Sequence, residues 1–440
     1  MPKIAIVAGE ASGDLLGSHL IQALKTHYAA LNTGLPLEFI GIAGPKMIGE
    51  GAVSLYPMER LSVRGYVEVL RHLFGLIKLR KNLLNTLSEI KPDLFIGIDA
   101  PDFNFWLERQ LKNKGIPTIH YASPSIWAWR KGRMAKIKRS VSHMLALFPF
   151  EPKLYEDAGV LVSYVGHPLA DILPLQPNRL EARESLKLKA DKVVIAMLPG
   201  SRLSEVQQHA DLFVKTAKLI AKKQPNTQFL VPLISRETRD IFEHALFNNH
   251  ALNLNKSLHH EALQDEYKSF KHKKETSDLD GHDDLNFNYE NINQDNVDAS
   301  NTELNHAEPL PLQILFGHAH DAMEAADAVI VASGTATLEA ALLKCPMVIT
   351  YRMPNISWQM MKRMNYLPYV GLPNILAGKF LVPELMQNEA TPEKLADATL
   401  KLLDDAIHLE DIKAEFMKIH LSLKQNTAEK AAKAVLAYLI

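Results

Sequence analysis

Two short stretches, "LPGSR" and "VASGT", carry glycine, hydroxyl and guanidinium groups directly after apolar runs. Backbone N–H groups at a helix start favour anions, glycine lets the backbone approach closely, and arginine can donate two parallel hydrogen bonds to a phosphate. Each stretch alone is also an ordinary helix N-cap. Two of them after different strands favour a diphosphate site. The candidate residues are Gly200, Ser201, Arg202, Ser333, Gly334 and Thr335.

A single acid extends this site towards a nucleotide. Glu339 follows Thr335 by about one turn of the predicted helix. A carboxylate in that position can accept hydrogen bonds from both hydroxyls of a ribose, as it does in dinucleotide folds. We therefore assign the nucleotide to the second half of the chain.

The first loop of the chain has a similar outline but different chemistry. Gly9, Glu10, Ser12, Gly13 and Asp14 stand between an apolar run and a helical pattern. Acids repel phosphate, so this loop is predicted to face sugar hydroxyls, bound by Glu10 and Ser12. Gly9 and Gly13 would permit a tight turn. Asp14 equally suits an acid that complements the dipole of its own helix.

The elements that position these residues alternate between short apolar runs and helical patterns. This rhythm predicts a parallel sheet wrapped by helices, and it restarts after the Pro-rich "HPLADILPLQPN". We expect an α/β protein of two doubly wound, Rossmann-like domains facing a central cleft. The expected acceptor-binding domain is 1–170, the nucleotide domain is 171–400, and C-terminal helices occupy 401–440.

One segment departs from this pattern. Residues 256–308 are rich in Asn and Asp around "DLDGHDDLNFNYENINQDN", and neither Lys nor Arg occurs from 275 to 343. Such a composition cannot bury enough apolar area to offset the entropy of ordering. We expect a surface insertion that is largely disordered. The nearby "GHAHD" at 317–321 resembles metal-ligand spacing, although a solvated loop is the favoured interpretation.

Composition excludes several classes of protein. The chain has 440 residues, 47% of them hydrophobic, and a formal net charge of −1, which disfavours a surface built for nucleic acid. The single cysteine, Cys345, excludes an internal disulfide and fits a reducing cytoplasm. We expect no signal peptide, and no apolar run approaches the roughly 18 residues of a membrane span.

Longer strings resemble one known family. "VAGEASGD", "GIDAPDFN", "SPSIWAWR", "LPGSR", "ASGTATLEAALLKCPMVITYRM" and "LPNILAG" resemble, in the same order, bacterial lipid-A-disaccharide synthases. The resemblance covers essentially the whole chain outside the insertion, where the family is expected to have only a short connection. It implies a GT-B glycosyltransferase that transfers a 2,3-diacylglucosaminyl unit from UDP to 2,3-diacylglucosamine 1-phosphate (lipid X). The implied products are the β(1→6) disaccharide, formed with inversion, and UDP.

One acid is the predicted general base of this transfer. An inverting reaction needs a base near the attacking 6-hydroxyl. Asp99 follows the buried run "DLFIGI" at the edge where α/β sheets bind ligands, and the equivalent acid of the family is considered essential. The alternative is that Asp99 only caps the next helix, a role that Asp102 and Asn104 suit better. Asn374 and Gln387 are weaker candidates for the sugar-nucleotide side.

Two stretches suit the membrane surface that acylated substrates require. Residues 67–84 interleave apolar side chains with cations, as in a helix lying in the interface, and "SIWAWRKGRMAKIKR" combines Trp with cations. The alternatives are an amphipathic core helix for the first and a solvated basic helix for the second. The predicted membrane-facing residues are Arg71, Lys78, Arg80, Lys81, Trp127, Trp129, Arg130 and Arg133.

The predicted partners are the acylated UDP-sugar, the acylated sugar phosphate and the cytoplasmic face of the inner membrane. No metal or other cofactor is expected, because no Asp-x-Asp motif stands in a suitable loop and Arg202 with helix starts can replace a cation. A homodimer is compatible with the sequence, which does not specify one. Two rivals are a UDP-sugar epimerase, which would leave "GIDAPDFN" and "SIWAWR" unexplained, and a catalytically silent binding module, against which Asp99, Arg202 and Glu339 argue.

Overall fold

The computed structural model contains two compact α/β units. The described ranges are 1–31, 35–61, 66–124, 131–254, 310–354, 358–359 and 368–439. The first unit contains residues 1–173 and 420–439, and the second contains the described residues from 174 to 419. The predicted insertion at 256–308 lies outside the described residues.

A fully parallel sheet of seven strands forms the centre of the first unit, in the order β3-β2-β1-β4-β5-β6-β7. The strands are β1 Lys3–Ala8, β2 Glu38–Ile42, β3 Ala52–Ser54, β4 Leu94–Ile98, β5 Thr118–Tyr121, β6 His143–Ala146 and β7 Val162–Tyr164. All five residues of β4 are buried, as expected for a central parallel strand covered by helices on both faces. The strand order reverses between β1 and β4, which creates the crevice where doubly wound sheets bind ligands.

Among the described residues, the N-terminal part of this unit also contains seven helices and two short 3₁₀ segments. The helices are α1 Ala11–Ala29, α2 Pro45–Gly49, α3 Tyr66–Ile90, α4 Pro101–Lys112, α5 Met134–Ser140, α6 Glu151–Glu156 and α7 Pro168–Ile172. The 3₁₀ segments are Met58–Arg60 and Lys131–Arg133. The apolar sides of α1 and α3 join the strands in one core, which includes Leu20, Leu24, Leu83 and Leu87.

The second unit repeats the plan with six parallel strands in the order β10-β9-β8-β11-β12-β13. The strands are β8 Val193–Leu198, β9 Thr227–Leu233, β10 Leu312–Phe316, β11 Ala328–Ala332, β12 Met347–Tyr351 and β13 Glu384–Met386. Its helices are α8 Arg179–Ser185, α9 Leu203–Lys223, α10 Arg236–Leu254, α11 Ala319–Ala325, α12 Thr335–Leu342, α13 Leu372–Ala377 and α14 Pro392–Asp404, with a 3₁₀ segment at Gln387–Glu389. The reversal of strand order falls between β8 and β11.

The last two helices are α15 Ala406–Leu423 and α16 Thr427–Leu436. Residues 401–440, grouped together in the prediction, are divided between the two units at residue 420. Helix α16 packs against α1, where Ala431, Ala432 and Val435 are fully buried in the core of the first unit. Asp171 holds its start, because its carboxylate accepts the N–H groups of residues 426 and 427. The prediction of two doubly wound parallel α/β domains is confirmed.

Candidate functional site

In the first unit, the loops that follow β1 and β4 meet at the reversal of strand order. The two strands are neighbours and end in register, Ala8 opposite Ile98. A Cβ atom on Gly9 would lie 2.5 Å from the Cβ of Ala100, so a side chain at position 9 would not fit. Neither Gly9 nor Gly13 has a positive φ. The interpretation that these glycines permit a tight turn stays a prediction; Gly9 allows two loops to touch, and Gly13 lies inside α1.

The two acids of the first loop have different surroundings. Asp14 is 3% exposed, and its carboxylate accepts the backbone N–H groups of Lys46 at 2.9 Å and Met47 at 3.0 Å. It thus stabilises the start of α2, while its position in the first turn of α1 also suits the dipole of its own helix. Glu10 precedes α1 and is partly exposed, and Ser12 is exposed. Glu10 and Ser12 therefore remain at the open edge of the sheet.

Asp99 lies in a strained turn at the same edge. Its φ is +51° and that of Ala100 is +42°, and each left-handed non-glycine residue costs about 1–3 kcal/mol. The Asp99 carboxylate has no hydrogen bond to any other described residue, while its N–H donates to the carbonyl of Tyr121 at 3.0 Å. The N-cap of α4 is Ala100, without a side-chain cap. The alternative that Asp99 caps this helix is therefore wrong.

The two other polar residues of this motif do not cap α4 either. Asn104 is fully buried and its amide donates to the carbonyl of Asp99 at 2.8 Å. Asp102 is exposed, and its carboxylate accepts two hydrogen bonds from the guanidinium of Arg133, at 2.9 and 3.1 Å. The expectation that Asp102 and Asn104 act as caps is therefore wrong, because each side chain has a partner outside the helix start.

In the second unit, the turn after β8 is closed by a carboxylate. Glu205 accepts the N–H groups of Ser201 at 3.1 Å and Arg202 at 3.2 Å. Gly200 has a φ of +128°, and a Cβ atom there would lie 2.5 Å from the Cβ of Glu205. The expectation that these N–H groups are free is wrong, since Glu205 takes the place of an external anion. The guanidinium of Arg202 stays 57% exposed, 3.6 Å from Glu205.

The turn after β11 is more open. Gly334 and Thr335 are exposed and Ser333 is partly buried at the start of α12. A Cβ atom on Gly334 would meet no atom within 4 Å. The hydroxyl of Thr337 donates to the carbonyl of Gly334 at 2.8 Å, which fixes the first turn of the helix. Space for a ligand therefore exists beside this helix start.

Glu339 of α12 has a partner that the sequence analysis did not assign. Its carboxylate lies 3.1 Å from Nε2 of His320, on α11. This hydrogen bond raises the pKa of His320. His318 pairs with Asp321 at 2.7 Å, so the two histidines of "GHAHD" point to different acids. No cluster of three or more metal-ligating side chains occurs within the described ranges. Because His320 follows β10 closely in the sequence, its position at this edge of the sheet could have been predicted.

Two weaker nucleotide candidates have structural partners. Asn374 is fully buried, donates to the carbonyl of Val382 and the carboxylate of Glu384, and accepts two backbone N–H groups. Gln387 exchanges two hydrogen bonds with the backbone of Met353. The interpretation of Asn374 as a ligand contact is wrong, because all its amide groups are satisfied internally. The amide of Gln387 is likewise engaged in fixing the β12–β13 edge.

The predicted membrane-facing residues fall into two sets. Arg80 stacks 4.3 Å from the ring centre of Trp106 and donates to the carbonyl of Asp102, and burial lowers its pKa. Arg133 binds the carboxylate of the same Asp102, so both arginines have partners inside the protein. Lys78 and Lys81 are exposed on α3. The side chains of Arg71, Trp127, Trp129 and Arg130 lie outside the described residues.

One large apolar side chain is exposed near these lysines. Phe74, one turn before Lys78 on α3, is 83% exposed. In the part of the chain that the structure describes, no helix combines the length and apolar character needed to cross a bilayer.

Solved structures share the two-unit architecture. The UDP-GlcNAc 2-epimerase from Neisseria meningitidis bound to UDP-GlcNAc has a TM-score of 0.54 and 12% identity, with 99% of each chain covered. The glycotransferase of kitacinnamycin has a TM-score of 0.55 and 13% identity, again with 99% of each chain covered. These similarities show the fold, which glycosyltransferases and epimerases have in common.

Similarity at the level of sequence is more specific. The family model for lipid-A-disaccharide synthetase matches residues 4–274 and 283–438. The match enters 256–308 from both sides, so the expected short connection in the family is not supported. The lipid-A-disaccharide synthase of Methylobacillus flagellatus is 58% identical over 439 residues, covering all of both chains. That of Azoarcus sp. is 50% identical over all of this chain and 96% of its own. With both halves and their loop motifs included in these matches, the chain belongs to the lipid-A-disaccharide synthetase family.

Proposed function

We propose that this chain is a lipid-A-disaccharide synthase, an inverting glycosyltransferase of lipid A biosynthesis. It joins UDP-2,3-diacylglucosamine to 2,3-diacylglucosamine 1-phosphate and releases the β(1→6) tetraacyl disaccharide 1-phosphate and UDP. The observation that carries this proposal is the 58% identity to a synthase over the full length of both chains. The two sheet edges add chemistry that suits such a transfer: a carboxylate without a hydrogen bond to the other described residues in one unit, and an exposed guanidinium in the other.

The first unit supplies the general base. The Asp99 carboxylate follows β4 at the reversal of strand order and has no hydrogen-bond partner among the described residues. It is thus free to accept the proton of the acceptor's 6-hydroxyl as that oxygen attacks the anomeric carbon. Attack from the face opposite the departing UDP inverts the configuration. Glu10 and Ser12, at the start of α1, bind hydroxyl groups of the acceptor and thereby orient it.

The second unit binds the nucleotide and stabilises it as it leaves. The exposed Arg202 guanidinium donates to the diphosphate, where charge develops as the glycosidic bond breaks. Ser333 and Thr335 add hydroxyl donors at the open start of α12. Glu339 accepts from the ribose hydroxyls, with His320 holding its carboxylate.

The acyl chains of both substrates require access to a lipid surface. Exposed Phe74, Lys78 and Lys81 on α3 combine an apolar side chain with two cations, a pattern suited to an anionic interface. We infer peripheral binding to the cytoplasmic face of the inner membrane. The apolar group enters the acyl boundary, while the cations pair with lipid phosphates.

A single assay tests the proposed activity against the epimerase alternative. The protein is incubated with UDP-2,3-diacylglucosamine and 2,3-diacylglucosamine 1-phosphate, and the products are resolved by mass spectrometry. The expected result is a tetraacyl disaccharide 1-phosphate together with an equal amount of UDP. Asp99→Asn serves as the matched control, because it keeps the shape of the side chain and removes its basicity. Epimerised UDP-sugar without disaccharide would overturn the proposal.

A further inference from the structure

A buried polar cluster lies directly under the Asp99 turn. Asn104 and Glu108 stand one turn apart on α4, and both are fully buried. Both side chains pack against Gly97 of β4, where a Cβ atom would lie 3.0 Å from the Cβ of Asn104 and 2.3 Å from a carboxylate oxygen of Glu108. A glycine two residues before Asp99 thus makes room for two polar groups beneath the turn.

Asn104 connects the ends of two strands to this turn. Its Nδ2 donates to the carbonyl of Asp99 at 2.8 Å and lies 3.4 Å from that of Ile98 and 3.5 Å from that of Val7. The latter two belong to β4 and β1, the strands on either side of the reversal. One amide therefore holds the backbone of the strained turn against the sheet.

The same amide also has an unfavourable feature for the stability of the fold. Its Oδ1 is buried and has no partner among the described residues. A buried acceptor left without a hydrogen bond is unfavourable, and an apolar side chain of similar volume would avoid this. The hydrogen bonds donated by Nδ2 are therefore what an amide at this position provides and an apolar side chain would not.

Glu108 and His120 fix the helix that carries Asn104. His120 Nδ1 lies 2.6 Å from a carboxylate oxygen of Glu108, and both side chains are fully buried. His120 stands on β5 opposite Gly97 of β4. The pair therefore joins α4 to the sheet at the level of Asn104. Burial raises the pKa of Glu108.

We propose that Asn104 is a positioning residue for glycosyl transfer, which acts by fixing the main chain at Asp99 and thus the direction of its carboxylate. The Glu108–His120 pair sets the height of α4 above the sheet, and so the position of the amide. Asn104, Glu108 and His120 need not touch a substrate for this role. The inference rests on the proposed function of Asp99 as general base.

The experiment is a double-mutant cycle that combines Asn104→Leu with Asp99→Asn. Leucine has the same number and branching of side-chain heavy atoms as asparagine and removes the amide. In the wild-type background kcat should fall by about 10- to 100-fold, the effect of a misplaced catalytic group. The KM values and the Kd for UDP should stay within about twofold, because the nucleotide is bound by the other unit. In the Asp99→Asn background the same substitution should cause no further loss, since the group it positions no longer acts as a base.

Thr118→Val is the matched control. Thr118 is fully buried in the same sheet and donates to the carbonyl of Ser140 at 2.8 Å, at the opposite end of β5. This variant loses one buried hydrogen bond and should lose stability while keeping its kcat. If the Asn104→Leu protein does not fold, Asn104→Ser replaces it, because serine retains a small hydrogen-bond donor. The fall in kcat for Asn104→Ser is expected to be smaller than that for Asn104→Leu.

The outcomes separate the inference from the function on which it rests. Folded Asn104 variants with wild-type kcat would overturn the positioning role. An equal fall of kcat with and without Asp99 would also overturn it, because that result indicates a general structural defect. A wild-type kcat for Asp99→Asn itself would instead reject Asp99 as the base, whatever Asn104 does.

Discussion

Glu205 accepts the backbone N–H of Arg202 at 3.2 Å, at the turn where an external phosphate was expected. The same carboxylate oxygen accepts the N–H of Ser201, so one side chain satisfies two donors at the start of α9. An anion supplied by the protein thus occupies part of the position that the motif suggests for a ligand. Its negative charge also lies close to the proposed diphosphate.

Replacing Glu205 with Gln should strengthen UDP binding. The Kd is expected to fall by about two- to tenfold, because one like charge leaves the neighbourhood of the diphosphate and Arg202 loses a competing partner. Titration calorimetry at low ionic strength measures this change. Glu410→Gln is the charge-matched control, since Glu410 is exposed and pairs with Lys413 on α15. Weaker UDP binding by the Glu205 variant would show that the carboxylate shapes the turn for the nucleotide.

The His320–Glu339 pair should make stability depend on pH. The hydrogen bond to Glu339 raises the pKa of His320, with Asp321 and Glu324 acting in the same direction and burial opposing them. Because the pKa of His320 is higher in the folded than in the unfolded protein, the pair stabilises the folded state at pH values below 6.5, the pKa in the unfolded protein. This contribution is lost as the pH rises through the pKa of His320 in the folded protein. His320 is 44% exposed and Glu339 is 21% exposed, so solvent screening limits the contribution to under about 1 kcal/mol.

The measurement compares the wild type with His320→Gln by urea unfolding at about pH 6 and about pH 9. The variant should be less stable at the lower pH and equal to the wild type at the higher one. His318→Gln is the control for the loss of an exposed histidine next to the same acid, Asp321. A stability difference for His320→Gln that is independent of pH would contradict the ion-pair interpretation.

The alternation of elements could be predicted from sequence because central parallel strands are covered on both faces. β1, β4, β8 and β11 appear as short apolar runs, and the residues that follow them collect at one edge of each sheet by a general rule of such folds. Asp99 could be found for the same reason. Its carboxylate stands where the rule places ligand-binding groups, directly after a buried strand.

Partners that lie far apart in the chain could not be predicted in this way. Asp14 stabilises a helix start more than 30 positions away, and Asp102 binds Arg133 from another element. A local sequence pattern indicates which interactions a side chain can form, but it does not determine which distant group becomes its partner. The closure of the Arg202 turn by Glu205 illustrates the same limit, because a phosphate-binding turn and a carboxylate-closed turn share one sequence pattern.

Surface binding should depend on the exposed lysines of α3 and not on the arginines that have internal partners. Replacing Lys78 and Lys81 with Ser should weaken co-sedimentation with vesicles of anionic phospholipid, and added salt should weaken the wild type in the same way. Each lysine near the surface contributes about 1 kcal/mol.

The control removes two exposed lysines elsewhere in the first unit, through Lys114→Ser and Lys153→Ser. Its vesicle binding should be the same as that of the wild type. If the control and the α3 variant bind equally well, at low and at high salt, α3 is not the membrane-facing element.

Nucleotide binding and proton transfer should separate between the two units. Arg202→Ala and Glu339→Ala are each expected to weaken UDP binding by about 1.5–3 kcal/mol, the usual loss for a hydrogen bond to a charged group. Asp99→Asn should leave the Kd for UDP unchanged while kcat falls by about 10²- to 10⁴-fold. Calorimetry and initial rates measure the two effects. Loss of UDP affinity in Asp99→Asn as large as in Arg202→Ala would show that the nucleotide also depends on the first unit.

Asp14 should matter for stability and not for turnover, although it lies in the first turn of α1, close in sequence to Glu10. Its carboxylate is buried and accepts two N–H groups at the start of α2, which have no other acceptor in the helix. Asp14→Ala should therefore lower the free energy of unfolding by about 1–3 kcal/mol, because it leaves these buried donors without a partner.

Urea unfolding measures the loss, and kcat of the folded variant should equal that of the wild type. Asp157→Ala is the matched control, because this acid is exposed in the same unit and forms only a surface pair with Lys153 at 3.6 Å. It should change stability by less than about 0.5 kcal/mol. If Asp14→Ala kept its stability and lost turnover instead, the carboxylate would belong to the acceptor site, and both acids of the first loop would then serve the sugar.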